Sequence, residues 1–372
     1  MRLIGPSHAS AHRGFYTATA LCGATEIAGG GDAGTRAALT AMLAMPWRVT
    51  DRALRLPLVG DLGAPGQLDL RHWRHLYEWA AARLDCQRFA PLLAAIYATG
   101  IPRRDLAVLA YGPDALPAPA AAPTGSDLLP EAGFAVLRGG PAPTAWHDHP
   151  DRPGLLPDAP SARLSPDLGE PGYGLRKSGN FSYFSTTAAH NTLFVNEAEQ
   201  RGGAALAAVE DGFSATLQDA SGALLWRRVW MTGAVVVVLD SWEAAASHRY
   251  GWVHHAYGEV QVANSAPAVA DVLPAWPAKS GFTELSLRET TWVSGWTATW
   301  AGGLTMQAVA DVPVELTQGS GPGNPYVERQ GVVLVRLPGA KRRLATVLAH
   351  GPAPDLQLVA EGVVVAGRVY RW

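Results

Sequence analysis

Apolar residues recur at two different periods along the 372-residue chain. Up to about residue 110 they return every three or four positions, as in helices that bury one face. Gly14–Ile27 is rich in Ala, Leu and Thr, and Thr35–Trp47 repeats Leu, Met and Ala at that spacing. Asp69 is placed to cap a third helix over 70–84. Leu70, Trp73, Leu76 or Tyr77, Ala80 and Leu84 form its apolar stripe, and the aromatics there read as core. Phe89–Tyr97 makes a fourth segment, with Pro46, Pro65 and Pro91 expected as punctuation. Residues 112–127 are rich in Pro and Ala, a composition that favours extended chain and marks a domain boundary. From Gly133 onward the period becomes two. Strand-like runs rich in Val, Trp and Thr cover 134–140, 191–200, 227–243, 250–263, 284–310, 332–337, 343–350 and 362–372. No helical pattern intervenes, which argues against a parallel doubly wound sheet. Helices first and strands afterwards predict an α+β chain. Its expected parts are a helical domain over 1–111, a linker over 112–127, and a large antiparallel β-sandwich over 128–372.

Composition narrows the function classes. Charged residues are 17% and hydrophobic residues 48%, too apolar a balance for a disordered chain. A net charge of −2 gives no electrostatic case for nucleic acid. The longest apolar run, Ala234–Leu239, is far short of the roughly 20 residues of a membrane helix. The first ten residues lack a charged stretch followed by an apolar core, so no signal peptide is read there. Two cysteines, Cys22 and Cys86, could form one bridge or remain two thiols, but cannot build a disulfide framework.

P-loop, GxSxG, HExxH, CxxC and helix-opening GxGxxG signatures are all missing, so the eleven histidines carry the search. The densest polar cluster is Trp146-His147-Asp148-His149-Pro150-Asp151-Arg152. His147 and His149 share one side of an extended segment and could converge on a metal or an anion. Zinc would need further N, O or S donors. The nearest candidates are Asp167, in the Gly/Pro-rich turn 167–174, and His190, just before an apolar strand. The plain alternatives are a solvated loop at 147–152, a tight turn at 167–174 and a packed core histidine at 190. The start of the metallo-β-lactamase pattern HxHxDH is also present, but Arg152 stands in place of its last His and no βα alternation accompanies it.

Taken in order, HxHxDR at 147–152, PDLGxPGYG at 166–174 and YFxTTAAHNTLxVxxxxQ at 183–200 resemble the heparinase II/III-like polysaccharide lyases, which include oligo-alginate lyases. The resemblance implies a partial α/α toroid followed by an antiparallel β-sandwich. It implies a largely structural zinc on His149, Asp167 and His190, with His147 facing the substrate. It implies β-elimination on a uronate glycan, an acidic polysaccharide or oligosaccharide. Residues 12–21 loosely fit the family's tyrosine segment, which makes Tyr16 the candidate base or acid and His12 and Arg13 its polarising neighbours. Tyr173 and Tyr183 are second choices, facing substrate or serving structure. Family members carry further helices before that segment, so the helical part is expected to be incomplete, a periplasmic address being usual for the family. An inactive glycan-binding or structural remnant is the competing expectation. The near-neutral charge mildly favours an unsulfated uronate such as alginate. An unclosed helical half would also expose apolar surface and favour a homo-oligomer.

Overall fold

Aspartates cap three of the helices. A computed structural model describes residues 11–51, 53–56, 69–129, 134–138, 144–145, 158–159, 162–163, 165, 181–184, 186–201, 204–263, 286–323 and 328–372. The chain divides after Thr124 into a helical unit and a β unit. The helical unit contains α1 (Ala11–Ile27), α2 (Ala33–Val49), α3 (Arg74–Arg83), α4 (Cys86–Ala98) and α5 (Leu106–Tyr111). The side chains of Asp32, Asp85 and Asp105 accept hydrogen bonds from the backbone N–H of Thr35, Arg88 and Val108, capping α2, α4 and α5. Asp69 caps as expected, but the first turn after it, Leu70–Trp73, is a 3-10 helix leading into α3. Leu70, Trp73, Leu76, Tyr77 and Ala80 are buried, and Leu84 is half-buried. α3 packs against α4 and also touches α1, α2 and α5. Glu26 of α1 ties this packing by accepting from Trp79 Nε1 and Arg83 Nε, both at 2.7 Å.

Pro46 and Pro91 do not punctuate. They lie inside α2 and α4. Each removes one backbone bond, but burial of Leu43 and Trp47 around the first, and of Leu92, Leu93 and Ile96 around the second, carries the helix through. α5, absent from the sequence reading, exposes Leu106 and Leu109. The Pro/Ala segment folds back on the helical unit, with Ala120 N–H donating to Pro91 O and Arg103 donating to Pro113 O. Cys22 and Cys86 are both free thiols. Burial, and Glu26 nearby, push the Cys22 thiol up to about 12, which makes it a poor nucleophile. No helix of the described residues is long and apolar enough to cross a membrane.

The β unit contains β1 (Asp127–Leu129), β2 (Phe134–Leu137), β3 (Thr144–Ala145), β4 (Asp158–Ala159), β5 (Ala162–Arg163), a one-turn helix α6 (Phe181–Phe184), β6 (Leu193–Val195), β7 (Ala204–Val209), β8 (Gly212–Gln218), β9 (Leu224–Thr232), β10 (Val235–Tyr257), β11 (Val260–Ala263), β12 (Ser286–Trp300), β13 (Leu304–Pro322), β14 (Arg329–His350), β15 (Leu356–Val359), β16 (Gly362–Val365) and β17 (Arg368–Arg371). β11-β12-β13-β14-β10-β9-β8-β7 run in that order in one nine-stranded antiparallel sheet, and β6 joins it beside β10. β1–β3 and β15–β17 form two smaller sheets.

β10 organises the unit. Its 23 residues join two runs that the pattern separates, and a register irregularity between Glu243 and His248 bends it in the middle. Val236, Val238 and Trp242, then Tyr250, Trp252 and Ala256, face one large core shared with β8, β9, β12, β13 and β14 and with Ala135 and Leu137 of β2. On the opposite face, Val237 and Leu239 pack under β16 and β17. Val253 packs with Ala188, Phe194, Val332 and Leu334. The strand is therefore covered on both faces at both ends, which explains its near-continuous apolar runs. The protein is α+β: helices, then an antiparallel β-sandwich.

Candidate functional site

The segment 186–200 is a self-bonded loop fastened to the second half of β10. Thr187 receives both ends of a clamp: its N–H donates to Glu199 Oε2 at 2.6 Å, its hydroxyl donates to the same oxygen at 2.9 Å, and Gln200 N–H donates to its Oγ1 at 2.9 Å. The Gln200 amide donates to Thr192 Oγ1 at 3.1 Å and to Leu193 O. A 3-10 turn over Thr187–Ala189 delivers His190, which is 1% exposed. The sequence TTAAHNT…EQ thus encodes a closed loop that presents His190 at a fixed place before β6.

Asn191 is the next residue, and three of its polar atoms are engaged. Its Nδ2 donates to Ser165 Oγ at 2.7 Å, its Oδ1 accepts from His255 N–H at 2.5 Å, and its backbone oxygen accepts from the Arg227 guanidinium at 3.1 Å. Ser165, fully buried, donates to His255 O and lies 3.1 Å from His254 Nε2. A hydroxyl has one proton, so His254 Nε2–H is the donor to Ser165. Arg227 in turn pairs with Asp240 through two bonds of 2.6 and 2.9 Å, both residues being fully buried. Burial pushes the Asp240 carboxyl up from its ordinary range, and the guanidinium beside it opposes that rise. On the other face of β10, the His255 ring donates from Nε2 to Ala188 O at 2.8 Å.

His254 is held neutral. Burial lowers its pKa well below the ordinary value, and His255 and Arg227 act in the same direction. Trp252 stacks on its ring with the planes 5° apart, and Trp300 meets it edge-on. The unfolded imidazole takes up its proton near pH 6.5, the folded one only well below. The unfolded state therefore binds more protons as pH falls through about 6.5, and the folded form loses up to about 1.4 kcal/mol per pH unit from this group. His254→Gln should remove that slope. Urea unfolding of both proteins at pH 7 and pH 5 checks it, and parallel pH profiles would contradict it.

A second polar cluster stands further along the sheet. Arg336, 2% exposed, donates to Glu197 Oε1 at 2.6 Å and to Glu315 Oε1 at 2.9 Å. Glu197 and Asn196 both adopt positive φ, near 55°, in the turn that ends β6. The two buried guanidiniums, Arg227 and Arg336, are thus already neutralised by carboxylates and are not cations in waiting for an acidic ligand.

Of the residues singled out from sequence, His147, His149, Asp167 and Tyr173 lie outside the described residues. His12, Arg13 and Tyr16 belong to α1, and their side chains lie outside the described residues too. Tyr183 is 1% exposed, packed with Phe184 and Ala189, and burial pushes its phenol far above the ordinary range. Its ring is packed in this small cluster at the one-turn helix α6. His190 stands in the loop described above. Among the described residues no group of three or more His, Cys, Asp or Glu could hold a metal. What the sequence reading did not single out is the buried set Ser165, Asn191, Arg227, Asp240, His254 and His255. The adjacent histidines at 254 and 255 were its one visible sign.

The chain matches no family model and no curated protein. Solved structures do match. A heparinase III aligns over 99% of this chain with a TM-score of 0.66 at 14% identity. The fold is that of a heparinase III. Heparan sulfate lyase HepC from Pedobacter heparinus aligns over 98% of the chain with a TM-score of 0.65 at 13% identity. The chain spans 59% and 58% of the lengths of these two proteins.

Proposed function

We propose that the protein acts on uronate-containing glycans as a polysaccharide lyase, by β-elimination. The observation that carries this reading is the heparinase III fold across nearly the whole chain, joined to a motif loop in which Thr187, Asn191, Thr192 and Gln200 are hydrogen-bonded. The reaction removes the proton at C5 of the uronate, breaks the bond from C4 to the leaving oxygen and protonates that oxygen. Tyr16 is assigned the base or acid. A phenol of ordinary pKa about 10 needs a cationic setting to act near neutral pH, and His12 and Arg13 stand within the same helix turn to supply it. His147 is assigned to the substrate side, with Tyr173 as a further contact.

His149, Asp167 and His190 are assigned to a zinc ion, which would supply a fixed charge bracing this wall of the site. Two imidazoles and one carboxylate suit zinc chemically. The Asn191–Ser165 bond of 2.7 Å supports the grouping, because it fastens the residue after His190 to a residue two before Asp167. Two residues of chain reach about 7 Å at most.

The test is incubation with alginate, chondroitin-like and heparan-like glycans, following ultraviolet absorbance of the unsaturated uronate product. Product formation is expected, unsulfated uronates first. Tyr16→Phe should lose about 10²- to 10⁴-fold in rate. Folded protein that turns over none of these glycans ends the lyase reading, and glycan binding retained under those conditions assigns the protein to recognition.

A further inference from the structure

One face of the large sheet is only half covered. β16 and β17 pack onto Trp230, Val237, Leu239, Ala345 and Val347. The adjoining positions stay partly open. Residues directly opposite one another on neighbouring antiparallel strands share a face. The register therefore sets Ser214 of β8 beside Arg228 of β9, in the row of Leu239. Two residues further along each strand, it aligns Thr216, Trp226, Ser241 and Arg343 across β8, β9, β10 and β14. All six of these residues are half-buried. The second row spans three strand spacings, about 14 Å, which suits an oligosaccharide better than a single sugar. Glu243 and Lys341, paired at 2.8 Å, follow as an exposed rim.

The chemistry of the open rows is that of a sugar-binding surface. Trp230 and Trp300 are buried and donate to Glu210 O and Gly331 O, whereas Trp226 is half-buried and its N–H meets no acceptor among the described residues. An indole left partly open among hydroxyls offers its ring to the apolar C–H face of a pyranose and its N–H to an oxygen. The arginines are held in place without being neutralised. Arg228 spends one N–H on Arg371 O at 3.2 Å. Arg343 lies 5.1 Å from the centre of the Trp372 ring and reaches Ala360 O at 3.5 Å. Among the described residues the ion pairs of the β unit use Arg227, Arg249, Arg336, Lys341 and Arg368 as cations, and Arg228 and Arg343 are in none of them. Asp311, the acid that feels the Arg343 guanidinium, is bonded to its backbone N–H instead. A guanidinium carries five donors, so each keeps an edge whose fork matches a carboxylate.

We infer that these open rows form a glycan-binding surface for an acidic chain, with Trp226 stacked on a sugar ring, Ser214, Thr216 and Ser241 on its hydroxyls, and Arg228 and Arg343 on uronate carboxylates. The choice of ligand rests on the glycan reading above. The surface lies along the first half of β10, whereas the His190 loop is fastened to the second half, beyond the irregularity between Glu243 and His248. It therefore holds a chain at a place separate from that loop.

The experiment titrates the full chain calorimetrically with a mannuronate hexasaccharide, a heparin hexasaccharide and neutral maltohexaose, on wild type, Trp226→Ala, Arg343→Gln and the double variant. The thermal midpoint of each protein reports folding, and ultraviolet absorbance of the same samples reports turnover. Wild type should bind the mannuronate chain, more weakly as salt rises, and should not bind maltohexaose. The double variant should bind the mannuronate chain about 10-fold more weakly. If the Trp226 variants do not fold, Arg343→Gln decides alone, with an expected loss of about 2- to 5-fold. Unchanged affinity in the folded variants, or equal binding of maltohexaose, overturns the surface and leaves the lyase reading intact. Binding of the heparin chain without the mannuronate chain overturns the assignment of the arginines to carboxylates. Binding that the variants weaken, with no turnover of either acidic chain by wild type, supports the surface and counts against the lyase reading.

Discussion

Asp240→Asn is expected to destabilise the β unit by about 3–5 kcal/mol, because it strands a fully buried guanidinium. Arg227 and Asp240 are 1% and 0% exposed and share two short bonds. Arg227 also holds the Asn191 backbone oxygen at 3.1 Å, so its displacement loosens the loop that presents His190. Arg227→Met should cost as much near neutral pH, but with a different pH signature. Without the guanidinium, burial acts on Asp240 unopposed and lifts its already raised folded pKa further. A raised folded pKa gives stability that is present at low pH and is lost as pH climbs through it. The deficit of Arg227→Met relative to wild type should therefore shrink on acidification, while that of Asp240→Asn, which removes the titrating group, should not shrink. Arg227→Met with Asp240→Leu should recover most of the loss. The remainder, about 1–3 kcal/mol, is the Asn191 carbonyl left without its donor. Urea unfolding at two pH values measures all four proteins. A loss below about 1 kcal/mol for Asp240→Asn would place the pair in the range of an exposed salt bridge and refute the burial argument.

The order of helices and antiparallel strands was legible because period 3.6 and period 2 leave different marks. The long strands were less so. β10 and β14 each appear in the pattern as two runs, since at their bends the residues turn to solvent and the alternation stops. β7, Ala-rich and exposed along most of its length, left no apolar alternation to find. Pro46 and Pro91 misled because local propensity was outweighed by tertiary burial. In the site, the histidine motifs were visible, whereas the buried support was not. Arg227 and Asp240 are thirteen residues apart and meet across the β9–β10 hairpin. Ser165 and His254 are separated by 89 residues. Spacing along a chain carries no signal for partners that only a curled sheet brings together. Tyr183 shows the converse case, an aromatic beside a motif whose burial could not be read from its neighbours.

Gly251→Ala should be strongly destabilising, although it adds only one methyl group. Gly251 faces Phe194 across the β6–β10 pairing, and a Cβ at position 251 would fall inside the Phe194 ring. The ring has no free volume to retreat into, being 0% exposed and packed with Ala188, Val253, Val332 and Leu334. Overpacking of this kind costs about 1–3 kcal/mol and sometimes more. The explanation has a sharp corollary. Phe194→Ala alone should cost about 3–5 kcal/mol through the cavity it leaves, and in that background Gly251→Ala should be neutral or favourable, because the methyl enters the emptied space. The coupling in a double-mutant cycle should then be at least as large as the cost of Gly251→Ala in wild type. Strictly additive costs would mean that the ring does not exclude the side chain. The consequence reaches the candidate site through the backbone. Phe194 is two residues from Thr192 and four from His190, so a ring forced off Gly251 pulls β6 away from β10 and strains the Thr192 O to Val253 N–H bond of 3.0 Å. Gly251→Ala should therefore speed hydrogen exchange at the Val253 amide, which donates the bond that holds Thr192 to β10. A glycine with no polar atom beyond its backbone would then act on the loop that presents His190 by leaving room for the residue that holds β6 in place.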